Sequence, residues 1–213
     1  MKTDDLISML ATGDSSVAGP PAGQRYAIAG GLGAVGAALM MLVLLQLRHD
    51  LLQALWLPMF WVKIGFVASL AGASLFTVLR LSRPGASLDG VMLILALPVL
   101  AIWAIAAFSL IDADPSERSR LFFGDTWMVC PLLIALLSMP VYLAVFRVMQ
   151  DMAPTRPRVA GFAAGLLSGA IAATVYCLHC PEMGAPFIGF WYLLGMLVPA
   201  LIGAWQGSTR LRW

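Results

Sequence analysis

Residues 26–47 read YAIAGGLGAVGAALMMLVLLQL, with no charged side chain among them. A helix rises about 1.5 Å per residue, so about 20 apolar residues cross a hydrocarbon core ~30 Å thick. Gly31-Leu32-Gly33-Ala34-Val35-Gly36 within this run matches the glycine signature of dinucleotide-binding folds. That signature needs a preceding strand and an acidic residue about 20 positions on. Neither fits an apolar spanning helix, where glycines serve close helix packing instead. Five more runs have the same character: Met59–Leu79, Leu88–Ile111, Met128–Phe146, Val159–Tyr176 and Phe187–Trp205. None alternates with the period of two that a barrel strand would show. The expected fold is therefore all-α, a polytopic membrane protein with six transmembrane helices in residues 26–205. Residues 1–25 form an N-terminal tail and 206–213 a C-terminal tail.

Composition agrees. Of 213 residues, 61% are hydrophobic and 11% charged, and mean hydropathy is +0.88. A soluble chain carries about 25% charged residues. A net charge of +2, with scattered basic residues, excludes a nucleic-acid binder. The N-terminus is no secretory signal: Asp4, Asp5 and Asp14 oppose Lys2 and Arg25, and no short apolar run follows.

Lys and Arg set the orientation. Nine lie on one side: Lys2, Arg25, Arg80, Arg83, Arg147, Arg156, Arg158, Arg210 and Arg212. Arg48, Arg118 and Arg120 lie on the other. This predicts a multi-pass membrane protein with cytoplasmic N- and C-termini. Lys63 lies five residues after Pro58 within a span, and is expected to snorkel to the nearby outer face. No span carries an Asp or Glu near its middle, which argues against a small ion-coupled transporter. Small residues recur every four positions at Gly65, Ser69 and Ala73, and at Gly161, Gly165 and Gly169. Both stripes are expected to pack against neighbouring helices. Pro98, Pro140 and Pro199 are expected to kink their spans.

Two features fall outside packing. Cys130 opens the fourth span, and Cys177-Leu178-His179-Cys180-Pro181-Glu182 closes the fifth, so all three thiols share the outer, oxidising face. Their spacing leaves three readings open: a structural disulfide, a metal- or oxidant-sensing site, or thiols that pack. The other feature is Thr3-Asp4-Asp5-Leu6-Ile7-Ser8-Met9-Leu10, which reads as a short amphipathic helix. Thr3 can cap it, Asp4 and Asp5 suit its positive end, and Leu6, Ile7 and Leu10 share a face. So short a helix cannot hold alone: the segment is either a disordered, frayed terminus or folds against a partner, in the manner of helix-in-groove binders. A Gly/Ser/Pro-rich linker follows over residues 13–23.

The opening Met1-Lys2-Thr3-Asp4-Asp5-Leu6-Ile7, the Cys130-Pro131 start, the His179-Cys180-Pro181-Glu182 stretch with downstream Phe187 and Trp191-Tyr192-Leu193-Leu194-Gly195-Met196, and the closing Leu211-Arg212-Trp213 carry a resemblance. They resemble the six-span bacterial anti-sigma family named for negative regulation of sigma F. The resemblance implies a protein that sequesters an extracytoplasmic-function sigma factor at the inner membrane. The implied sigma-binding element is Thr3, Asp4, Asp5, Leu6, Ile7 and Leu10. The implied sensing thiols, for metal or oxidative stress, are Cys130 and Cys180, with His179 and Glu182 assisting and Cys177 as an extra. No resident cofactor is implied; a transient Zn²⁺ or other soft ion would suit a Cys/His set. The expected partners are the sigma factor and the lipid bilayer, without direct nucleic-acid contact or a small-molecule substrate. A membrane thiol-disulfide oxidoreductase using the same cysteines is the competing reading.

Overall fold

The structure is a computed structural model describing residues 20–83, 85, 87 and 89–211. The tail residues Thr3, Asp4, Asp5, Leu6, Ile7 and Leu10 lie outside the described residues. The described residues form helices α1 (Ala22–Leu44), α2 (Leu51–Ala54), α3 (Pro58–Leu81), α4 (Val91–Asp112), α5 (Pro115–Phe123), α6 (Cys130–Asp151), α7 (Pro157–Tyr176) and α8 (Ala185–Arg210). Six of these are long and apolar enough to cross a membrane: α1, α3, α4, α6, α7 and α8. Proline stands in the first turn of α3, α5, α6, α7 and α8, where no intrahelical donor is lost.

The spans match the sequence reading, with shifted ends. The fourth runs on to Asp151 rather than stopping near Phe146, because Arg147-Val148-Met149-Gln150 continues the helix onto the α1 start. One turn of α8, Ile188–Tyr192, is a π-bulge. Its irregular backbone leaves the Gly189 carbonyl to accept from Trp103 Nε1 at 3.0 Å, tying α4 to α8.

Helix α7 forms the centre, with 72% of its spanning window buried, while α4 is peripheral with 17%. Alanine, glycine and serine fill α7, so its neighbours come within backbone distance. A Cβ at Gly161 would collide with the Gly203 carbonyl, and one at Gly165 with the Pro199 carbonyl. At Gly169 it would lie 2.8 Å from Met196 Cα. The α7 stripe therefore packs as its spacing predicts, on the Gly203 and Pro199 side of α8.

The equal stripe on α3 does so only at Ala73, which is buried. Gly65 has nothing within 4 Å, and Gly65 and Ser69 are exposed. The reason is competition between faces: Phe66, Val67, Leu70 and Val78 occupy the core, which turns Gly65 and Ser69 outward. There, with Pro98 and Ile102 of α4, they line a lateral groove of about 430 Å³.

At the bundle end farthest from the cysteines, Tyr26 of α1 is buried. Its hydroxyl lies 3.0 Å from Ser82 Oγ, just past α3, and 3.4 Å from Met149 Sδ of α6. The adjacent Arg25 pairs with Asp151 at the end of α6. The root of the tail is thus gripped by α3 and α6.

Replacing Gly165 by Leu should destabilise the detergent-solubilised protein by at least about 2 kcal/mol, since the added side chain overpacks a backbone contact. Gly65→Leu, facing open space, should change stability by less than about 0.5 kcal/mol. Thermal unfolding of both variants checks this.

Candidate functional site

At the other end of the bundle the three cysteines meet. Cys130 is the first residue of α6. Cys177 follows the last turn of α7, and its N–H still bonds the Ala173 carbonyl at 3.0 Å. A tight turn continues to Cys180, whose N–H bonds the Tyr176 carbonyl at 3.0 Å. Pro181 then stops the helical pattern. All three thiols are free and fully buried. The Cys130 thiol lies against the Cys180 sulfur, with the Tyr176 and Tyr192 side chains around them.

Lys63 completes this cluster and corrects the sequence reading of it. The side chain does not snorkel to water; its relative exposure is 0%. Its Nζ donates to the Cys180 carbonyl at 2.9 Å and the Glu182 carbonyl at 3.1 Å. It also sits 4.9 Å from the centre of the Tyr192 ring. A Lys amine reaches outward only while nothing nearer accepts its protons. Here Pro181 and the turn before α8 leave two carbonyls without helix partners, and they fold back over α3.

Arg48 reinforces the same turn from the α1–α2 connection. Its guanidinium bonds Asp50 at 2.7 and 2.6 Å and reaches the Cys180 carbonyl at 3.4 Å. That pairing raises Arg48 above its usual range and holds the Asp50 carboxyl down at about 2. The Arg48 backbone N–H bonds the Leu178 carbonyl at 3.2 Å.

His179 and Glu182 point elsewhere. His179 Nδ1 meets the Gln46 carbonyl at 2.9 Å. The Glu182 carboxylate accepts from the Asp125 backbone N–H at 2.8 Å and sits over Gly124, where a Cβ would lie 2.6 Å away. It closes the α5–α6 connection rather than facing the thiols. Among the described residues no three His, Cys, Asp or Glu side chains converge as a metal site. The donor set therefore supplies adjacent thiols and does not fit a closed Zn²⁺ site, which takes four ligands.

The thiols differ chemically. Donation from the Cys130 thiol, and then the Lys63 charge, hold Cys180 well below the usual thiol range despite its burial. Burial pushes Cys177 up to about 12. A thiolate is the nucleophile, and the opposite directions of these shifts favour Cys180 over Cys177 in that form. Sequence reasoning reached the thiols but missed Lys63, Arg48 and Tyr176. The signal for Lys63 was present, as the sole basic residue within the predicted spans.

The described residues thus place a buried thiol pair at one end of the helical bundle and the start of α1 at the other. The family model described as negative regulator of sigma F, NrsF, matches residues 10–213. The chain belongs to this family of anti-sigma factors. It is 69% identical over 213 residues to the protein named probable anti-sigma-F factor NrsF of Azospira oryzae, covering 100% of both chains. It is 41% identical over 218 residues to the anti-sigma-F factor NrsF of Caulobacter vibrioides, again covering 100% of both. No solved structure matches the chain.

With its titration moved down, Cys180 ionises more readily than an ordinary thiol. Its alkylation by a membrane-permeant maleimide should stay nearly flat between pH 6.5 and 8.5, roughly two units over which an ordinary thiol, titrating near 8.5, gains steeply. Cys177 should stay unlabelled across the range. Peptide mapping of alkylated protein reads both, and a steep rise at Cys180 would contradict the assignment.

Proposed function

We propose that this protein holds an extracytoplasmic-function sigma factor at the bacterial inner membrane through its N-terminal tail, and releases it when Cys130 and Cys180 are oxidised. Family membership supports the sigma-factor partner. The nine-to-three split of basic residues supports a cytoplasmic tail and thiols at the periplasmic end. The pairing of Arg48 with Asp50 fits that side, since it removes one of its few free cations. Leu6, Ile7 and Leu10 are the anchors in a groove of the sigma factor, and Asp4 and Asp5 face its basic residues.

One observation carries the coupling. Helix α6 starts at Cys130 and ends at Asp151, and it contacts the tail root through Met149 with Tyr26 and Asp151 with Arg25. Its 22 residues form one continuous helix about 33 Å long. In the oxidation step the two thiols lose two protons and two electrons to a hydroperoxide, which leaves as an alcohol and water, and a Cys130–Cys180 disulfide forms. Drawing the Cys180 turn onto Cys130 shifts α6 against α7, and the shift arrives at Asp151 and Met149. Tail affinity for the sigma factor then differs between the two states, a coupling typically of about 1–3 kcal/mol.

Transcription from a sigma-dependent promoter tests each half. Deleting residues 1–10, or changing Leu6 to Asp, should switch the promoter on without any stress, because an unpaired charge in an apolar groove costs several kcal/mol. The protein should still reach the membrane. Repression by the truncated protein would move the binding site to the loops at 80–87 or 147–158.

The thiol half predicts that the Cys130→Ser, Cys180→Ser double variant represses normally and no longer responds to oxidant, while Cys177→Ser responds nearly as the parent does. Full induction in the double variant would mean that these thiols only pack.

A further inference from the structure

Lys63 is a fully buried cation in a chain with few charges. Burying an ammonium costs several kcal/mol unless an anion compensates it. The ion pairs among the described residues are Arg25–Asp151 and Arg48–Asp50. Neither involves Lys63, and the Glu182 carboxylate is turned to Asp125. What faces the Lys63 ammonium is the backbone of the Cys180 turn, the Tyr192 ring, and the sulfurs. A position that served packing alone would be at least as well filled by Met, which matches the stem and carries no desolvation cost.

We propose that Lys63 is the positioning residue of the thiol site: seated on the Cys180 and Glu182 carbonyls, its ammonium holds the Cys180 sulfur against Cys130 and supplies the positive charge beside which that sulfur reacts. The assignment rests on the reading of Cys130 and Cys180 as a reacting pair. Two geometric facts support it. The two hydrogen bonds hold the backbone on either side of Pro181, and so the position from which the Cys180 side chain projects. The Tyr192 side chain, fully buried, lies against both the ammonium and the sulfur, so the three sit together out of water. Charge is felt strongly in such surroundings. Arg48 shares the Cys180 carbonyl but spends its charge on Asp50, so it does not replace Lys63.

The test uses the full-length protein in native membranes, carrying Cys177→Ser so that the two remaining thiols can be followed. Hydrogen peroxide drives the pair to the disulfide, each event turning one peroxide into two waters. Unreacted thiols are counted by the mass shift of a polyethylene-glycol maleimide. Lys63→Met removes donor and charge, Lys63→Gln keeps amide donors without charge, and Lys63→Arg keeps both. Met and Gln should slow disulfide formation by about tenfold or more, and Arg should retain a rate within about threefold of the parent, in line with the effect of a neighbouring cation on a thiol. Should the Met variant fail to elute as a folded species from detergent gel filtration, the Gln variant decides. Parent-like rates in the Gln and Met variants would overturn the proposal, as would an Arg variant as slow as Gln. A parent protein that forms no disulfide would instead overturn the oxidation step itself. No sigma factor enters the assay, so tail binding has no bearing on it.

Discussion

The backbone contact between α7 and α8 is the constraint from which the rest of the bundle follows. Water cannot drive helices together inside a bilayer, so close approach of small residues must do so. Gly161, Gly165 and Gly169 bring α7 onto the Gly203 and Pro199 carbonyls with no room for a side chain. Once that pair is fixed, the turn between them, which carries Cys180 and Glu182, has a fixed place too. Helix α6 then packs on both partners, and Gly195 of α8 accepts Ile134 and Pro131 at the start of α6, where a Cβ would lie 2.9 Å from Ile134 Cβ. That contact sets Cys130 beside the turn.

Two of the proline residues act in this scheme as packing surfaces. Pro140 lies against Gly36, where a Cβ would sit 3.1 Å from its ring, and Pro199 fills the space opposite Gly165 and Gly169. At these glycines one helix meets a ring or carbonyl of the next, so shape is matched residue against residue. The lateral groove beside α4 is the exception, and it follows from the same rule. Helix α4 brings leucines and isoleucines to α3 rather than a second small stripe, and its mid-helix Trp103 ties it to the Gly189 carbonyl of α8.

Six spans were legible because a bilayer sets one length and one composition for each of them. The α7 stripe was legible as a stripe, and so was the α3 stripe; spacing does not say which neighbour a face will meet, and the large residues of α3 decided that. The thiols were legible as a group because both ends of their spans could be placed at one face. Lys63 was visible but misread, since its acceptors lie 117 and 119 residues further along the chain. Local pattern carries no trace of so distant a partner. The opposite directions of His179 and Glu182 were hidden for the same reason: Gln46 and Asp125 hold them, and each is over 50 residues away.

The 117 residues between Lys63 and the Cys180 carbonyl also measure time. A ribosome adds about 5–20 residues per second, so α3 enters the bilayer roughly 6–25 s before the turn that receives its amine exists. During that interval the side chain has only the nearby headgroup region in which to stay hydrated, and its place close to the end of α3 makes that reach short. An outward, solvated Lys63 would thus belong to the nascent chain, and its seat in the bundle requires the turn between the last two spans.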